Sequence, residues 1–118
     1  MKMSRNVKID ELKHFNRDRL LEIIDGDEEF IIVLVKTFFD HFDKYLNNIK
    51  EALINQDENS LKLNSHTIKG SSRSVSFEKM AFYASKIEEA EINQKEKIEE
   101  LIKNIEEEYL NLKKIFDF

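Results

Sequence analysis

Apolar residues recur at spacings of three and four along most of this chain, and strict alternation is absent. Asn16 can cap a short first helix over residues 17–25, with Gly26 at the position after its end. Asp27, Glu28 and Glu29 then open a long helix reaching about residue 55, their charges suited to the positive end of the helix dipole. Its apolar stripe is Ile31, Leu34, Phe38, Phe42, Tyr45, Ile49 and Ala52. Asp57 can cap a third helix through about residue 74. Ser76 can cap a fourth, from 77 to about 92, with Met80, Ala84, Ile87 and Glu91 in step. The fifth, about 95 to 116, carries Ile98, Leu101, Ile102, Ile105, Tyr109, Leu112 and Phe116. Four such helices joined by short loops predict an all-α fold: an antiparallel up-down four-helix bundle with a short additional N-terminal helix over one end. Residues 1–15 read as a loosely docked lead-in, and residues 16–118 as the bundle domain.

Composition narrows the possibilities. At 118 residues the chain is one domain and has no room for an ATP-binding kinase domain. It has no cysteine, which excludes disulfides and thiolate metal sites. No signal peptide is visible, and the longest apolar run, residues 30–35, is far too short to span a membrane. A cytoplasmic location is expected. A net charge of −5 argues against a nucleic-acid partner. The Glu/Lys run over residues 88–108 reads as the solvated face of two helices.

The candidate chemistry lies in the third helix, at Ser65-His66-Thr67-Ile68-Lys69-Gly70-Ser71-Ser72. The chain has two glycines and no proline, and Gly70 falls mid-helix, where glycine costs about 1 kcal/mol relative to alanine. At ~100° per residue, Leu61, Ile68 and Val75 share one side, flanked by Ser65 and Ser72. His66 projects almost opposite, in a strip with Asn59, Lys62, Lys69, Gly70 and Arg73. No acidic residue occurs between Asn59 and Phe77. An unperturbed imidazole is largely neutral near pH 7 and is then a nucleophile. If it accepts a phosphoryl group, Lys69 can stabilise the added charge, and Gly70 leaves room for a partner. With no carboxylate expected nearby, acid chemistry and any divalent ion would come from elsewhere.

These residues resemble the histidine-containing phosphotransfer (HPt) domain family of bacterial phosphorelays. The family's core motif is a histidine, a Lys-Gly pair three and four residues on, then small residues. Here that is His66, Lys69-Gly70 and Ser71-Ser72, with Ile68 before the lysine. Ile87-Glu88 matches an apolar-acid pair closing the next helix. Gly26-Asp27, Phe38, Phe42, Ala52-Leu53 and Asp57 match the usual lead-up. The pattern covers about residues 16–92. One departure is Ser76, where many members have glycine. The resemblance implies a phosphocarrier in which His66 takes a phosphoryl group from a receiver-domain aspartate and passes it to another. It implies no ATP hydrolysis and no cofactor of its own, with Mg²⁺ held on the partner receiver. Receivers or a hybrid histidine kinase would be the partners of a monomer. Lys62, Arg73, Leu63, Thr67 and Phe39 are candidate contacts around His66.

Plainer readings stand beside these. His66 could be an ordinary surface histidine, and Lys62 and Arg73 simple solvated surface. His14 and His41 have no matching context and read as surface histidines. Phe30, Ile32, Val33 and Phe39 are more apolar surface than one stripe needs, and either residues 1–25 or a partner would cover them. Two other functions fit the same chain. One is a non-catalytic helical module that binds and regulates a receiver or kinase. The other is the excised phosphotransfer domain of a hybrid or chemotaxis kinase, although the leading Met1 and compact ends favour a free-standing protein.

Overall fold

The computed structural model describes residues 9–117. A 3-10 turn, Ile9–Glu11, leads into α1 (Arg17–Ile23), α2 (Glu28–Asn55), α3 (Glu58–Ser74), α4 (Glu78–Glu89) and α5 (Lys95–Phe116). Helix α2 packs on α3, α3 on α4, α4 on α5, and α5 back on α2. Contacts run antiparallel: Asn48 meets Asn64, while Lys50 meets Glu106 and Phe42 stacks on Tyr109. This is the expected bundle, with α1 beside the start of α2.

The expected caps form at three helices. Asn16, Asp27 and Asp57 each accept the backbone N–H three residues on, satisfying donors that a helix start leaves open. The cap expected of Ser76 does not form. Phe77 occupies the cap position of α4 and makes no side-chain cap bond. Ser76 instead has φ +60°, the left-handed region that glycine enters freely. A left-handed serine costs about 1 kcal/mol or more, and its hydroxyl accepts from Arg19 Nη1 at 2.9 Å.

The core of α2 is rotated slightly from the sequence stripe. Val35 and Leu46 are buried, whereas Leu34 and Tyr45 are only half-buried. At the end formed by the start of α2 and the close of α5, the rings of Phe15, Phe38, Phe39, Phe77 and Phe116 meet edge-on or stacked. Such contacts add to simple burial.

The lead-in is tied down where it is described. Lys13 N–H and Asn16 Nδ2 donate to the two oxygens of Glu78, and Lys79 N–H donates to Lys13 O. His14 Nδ1 lies 2.7 Å from Glu108 Oε2, a carboxylate only 3% exposed. His14 is therefore more than a surface histidine, and Glu108 is not on the solvated face. Residues 1–8 of the lead-in lie outside the described residues. Among the described residues no helix is long and apolar enough to cross a membrane.

Candidate functional site

Helix α3 buries Leu61, Ser65, Ile68 and Ser72 against the bundle. The serines fit close packing because their hydroxyls turn back on the helix or inward; Ser65 Oγ donates to Leu61 O at 2.8 Å. The opposite face is thereby turned outward, and the His66 side chain is 62% exposed. Gly70 shares that face. A methyl group built on it would meet nothing within 4 Å, so nothing inside the molecule calls for a glycine there.

One expectation fails at this point. A carboxylate does reach the histidine, from the neighbouring helix. Glu88, on the last turn of α4, holds His66 Nδ1 through Oε2 at 2.9 Å and Lys69 Nζ through Oε1 at 2.5 Å. The gap in acids along α3 is filled across the α3–α4 interface, which a scan along one helix does not detect. The available signal was the Ile87-Glu88 pair: Ile87 is fully buried and so fixes the turn from which Glu88 projects.

Burial pushes the Glu88 carboxyl upward, but the hydrogen bonds and charges of Lys69 and His66 outweigh it and hold its pKa below the ordinary value. Glu88 is thus ionised at neutral pH and can only accept hydrogen bonds. In the neutral ring the Nδ1 facing it must carry the proton. The Nε2 lone pair is left free on the exposed side of the imidazole.

The remaining candidates separate. Leu63, 66% exposed, and half-buried Thr67 lie beside His66. Thr67 also lines a groove of about 290 Å³ between α2 and α3, with Leu34, Tyr45 and His41 on the opposite wall. Lys62 is turned towards α4, where Nζ donates to Glu88 O at 2.8 Å and Ala90 O at 3.1 Å. It serves as the side-chain cap of a helix end whose carbonyls would otherwise lack partners. Arg73 is exposed, and its side chain makes no hydrogen bond or ion pair among the described residues. Phe39 lies in the aromatic end cluster against Phe77, Tyr109 and Phe116, not beside His66. Among the described residues no group of three or more His, Asp or Glu side chains could hold a metal ion.

On this helical bundle a carboxylate aligns an exposed imidazole, an arrangement that can present a free ring nitrogen to an incoming group. The family comparison agrees: the model of the Hpt domain matches residues 33–114, more than half of the chain. The chain belongs to the Hpt domain family, which supports a phosphotransfer role in two-component systems. It is similar to the phosphorelay intermediate protein rdeA of Dictyostelium discoideum, with 29% identity over 76 residues. That similarity spans 64% of this chain and 30% of the relative's length. No solved structure matches it significantly.

Proposed function

We propose that this chain relays phosphoryl groups between receiver-domain aspartates through Nε2 of His66. The observation that carries the proposal is the Glu88 carboxylate on Nδ1 of an exposed imidazole. The Nε2 lone pair attacks phosphorus in the donor's aspartyl phosphate. The P–N bond forms as the P–O bond to the aspartate breaks, and the electron pair leaves with the carboxylate. No proton needs to move. Nδ1–H stays on the ring, which becomes cationic, and Glu88 stabilises that charge. Lys69 lies one turn along the helix and can swing from Glu88 to the transferred phosphoryl oxygens.

The return step reverses the flow. An acceptor aspartate attacks phosphorus, the P–N bond breaks, and the neutral ring is restored. A cationic ring is a good leaving group, so holding the proton on Nδ1 keeps the phosphoryl group mobile in both directions. The divalent ion belongs to the receiver's carboxylates. Gly70 lets the receiver come close to the helix backbone. Leu63, Thr67 and the α2–α3 groove offer the apolar part of its footprint.

The test is transfer of labelled phosphate from phosphorylated receiver domains to the wild-type chain and to His66→Gln. Label that reaches the wild type but not the folded variant supports the relay. Equal labelling of both would refute it. A folded wild type that binds receivers without taking label would instead identify a regulatory module without chemistry.

A further inference from the structure

Three side chains on one face of α3 converge on one residue of α4. His66 Nδ1 meets Glu88 Oε2, and Lys69 Nζ meets Glu88 Oε1. Lys62, one turn before His66, reaches the backbone instead. Its Nζ donates to Glu88 O at 2.8 Å and to Ala90 O at 3.1 Å. Glu58 Oε2 is a third and weaker neighbour at 3.8 Å, with both side chains well exposed.

The end of α4 has use for this clamp. The helix has 12 residues, and Glu88 is the last but one. Ala90 turns extended, with ψ 152°, so no further turn follows to supply donors for the last carbonyls. Ala90 N–H closes back on Ile87 O, and Glu88 O is left to Lys62. A positive charge also suits the negative end of the helix dipole. Buried Ile87 and Ala90 fix which side of α4 faces the bundle. Helix ends fray, however, and Glu88 must stay within hydrogen-bond reach of a ring on another helix.

Phosphoryl transfer raises the demand on that helix end. In the resting chain the Glu88 carboxylate is held by both His66 and Lys69. In the relay proposed above, Lys69 leaves Oε1 for the phosphoryl oxygens, and His66 alone then holds the carboxylate. A loosened last turn of α4 would at that moment take the acceptor away from Nδ1–H. Before transfer, the same loosening would let the proton sit on Nε2. A ring protonated there has no lone pair on its exposed nitrogen.

We infer that Lys62 is a positioning residue for the phosphoryl step: it clamps the end of α4 so that Glu88 stays on Nδ1 of His66 when Lys69 moves away. Lys62 acts through Glu88 and touches neither the ring nor the phosphoryl group. The inference rests on the relay proposed above and adds the residue that holds its carboxylate in register.

The test reads the His66 ring nitrogens by NMR of nitrogen-labelled protein at a pH where the ring is neutral. It also times labelling by phosphoramidate and by a panel of phosphorylated receiver domains. The wild type is compared with Lys62→Met, Glu88→Ala and the double variant. Lys50→Met, which removes a lysine from its pair with Glu106 on the α2–α5 side, is the control. The Lys62 side chain is 40% exposed, so Lys62→Met should keep its fold. The wild type should carry its proton on Nδ1. Lys62→Met should move part of the population to the Nε2–H form. It should slow labelling from both kinds of donor by about twofold or more, the lower end of coupling between neighbouring residues. Lys50→Met should do neither, and Lys62→Met should add nothing once Glu88 is alanine. An unchanged tautomer in Lys62→Met, the same shift in Lys50→Met, slowing confined to receiver donors, or an undiminished loss in the Glu88→Ala background would each overturn the inference and leave the relay intact. A wild type that takes label from phosphoramidate but from no receiver would refute the relay, and the tautomer in Lys62→Met would still decide the positioning role.

Discussion

Replacing Gly70 with alanine separates what the fold needs from what a partner needs. Mid-helix glycine costs about 1 kcal/mol relative to alanine. A methyl group at Gly70 meets nothing within 4 Å, so no clash offsets the gain. Gly70→Ala should therefore stabilise the chain by about 0.5–1 kcal/mol, raising Tm by roughly 2–4 °C for a domain of this size. Thermal and urea unfolding followed by circular dichroism would measure this. If Gly70 is kept for close approach of a receiver, the same methyl group must push into the docked partner. Overpacking of a tight contact costs about 1–3 kcal/mol. At the lower end, the second-order rate of phosphotransfer falls about fivefold. A variant that is both more stable and slower supports the account. Transfer at the wild-type rate would show that no partner approaches Gly70, and a destabilised variant would contradict the open geometry.

Three further substitutions test the same region. Glu88→Gln can still accept from Nδ1–H but lacks the charge that stabilises the phosphorylated ring; acceptance should slow about tenfold, from the difference between charged and neutral hydrogen bonds, and the phosphohistidine should last longer, both read from labelling time courses. Glu88 has a lowered pKa, so its contribution to stability is complete above the ordinary value of 4.5 and is lost as pH falls through the lowered one; acid unfolding of Glu88→Gln should lack this component. Ser72 Oγ is buried with no hydrogen-bond partner among the described residues, so Ser72→Ala should stabilise the fold by about 1 kcal/mol in urea unfolding. Lys62→Met should cost about 1 kcal/mol in the same assay by releasing the carbonyls of Glu88 and Ala90.

Helical periodicity was enough to place α2 and α5 and to turn His66 outward, because those features depend on residues a few positions apart. The caps at Asn16, Asp27 and Asp57 were legible for the same reason. Contacts between helices were not. Glu88 reaches His66 across the α3–α4 interface, and Glu108 is buried against His14 from the far end of the chain. Both acids sit in a run that reads as solvated from its composition alone. Ser76 is a reasonable helix cap by residue type, but the tight α3–α4 turn demands a positive φ and sends the hydroxyl to Arg19. Lys62 turns to the end of α4 and Phe39 to the aromatic cluster, which a helical wheel does not reveal because it gives direction but not which neighbour lies in that direction. The α2 stripe was off by part of a turn, which exchanged Val35 and Leu46 in the core for Leu34 and Tyr45 at the groove.

The central claim is that Glu88 fixes the proton on Nδ1 and leaves Nε2 of His66 to carry phosphate. NMR of the phosphorylated, nitrogen-labelled protein reads the modified atom directly from its phosphorus–nitrogen coupling. The account predicts a single phosphohistidine, at Nε2 of His66. Phosphate on Nδ1 of that ring, or on His14 or His41, would contradict it.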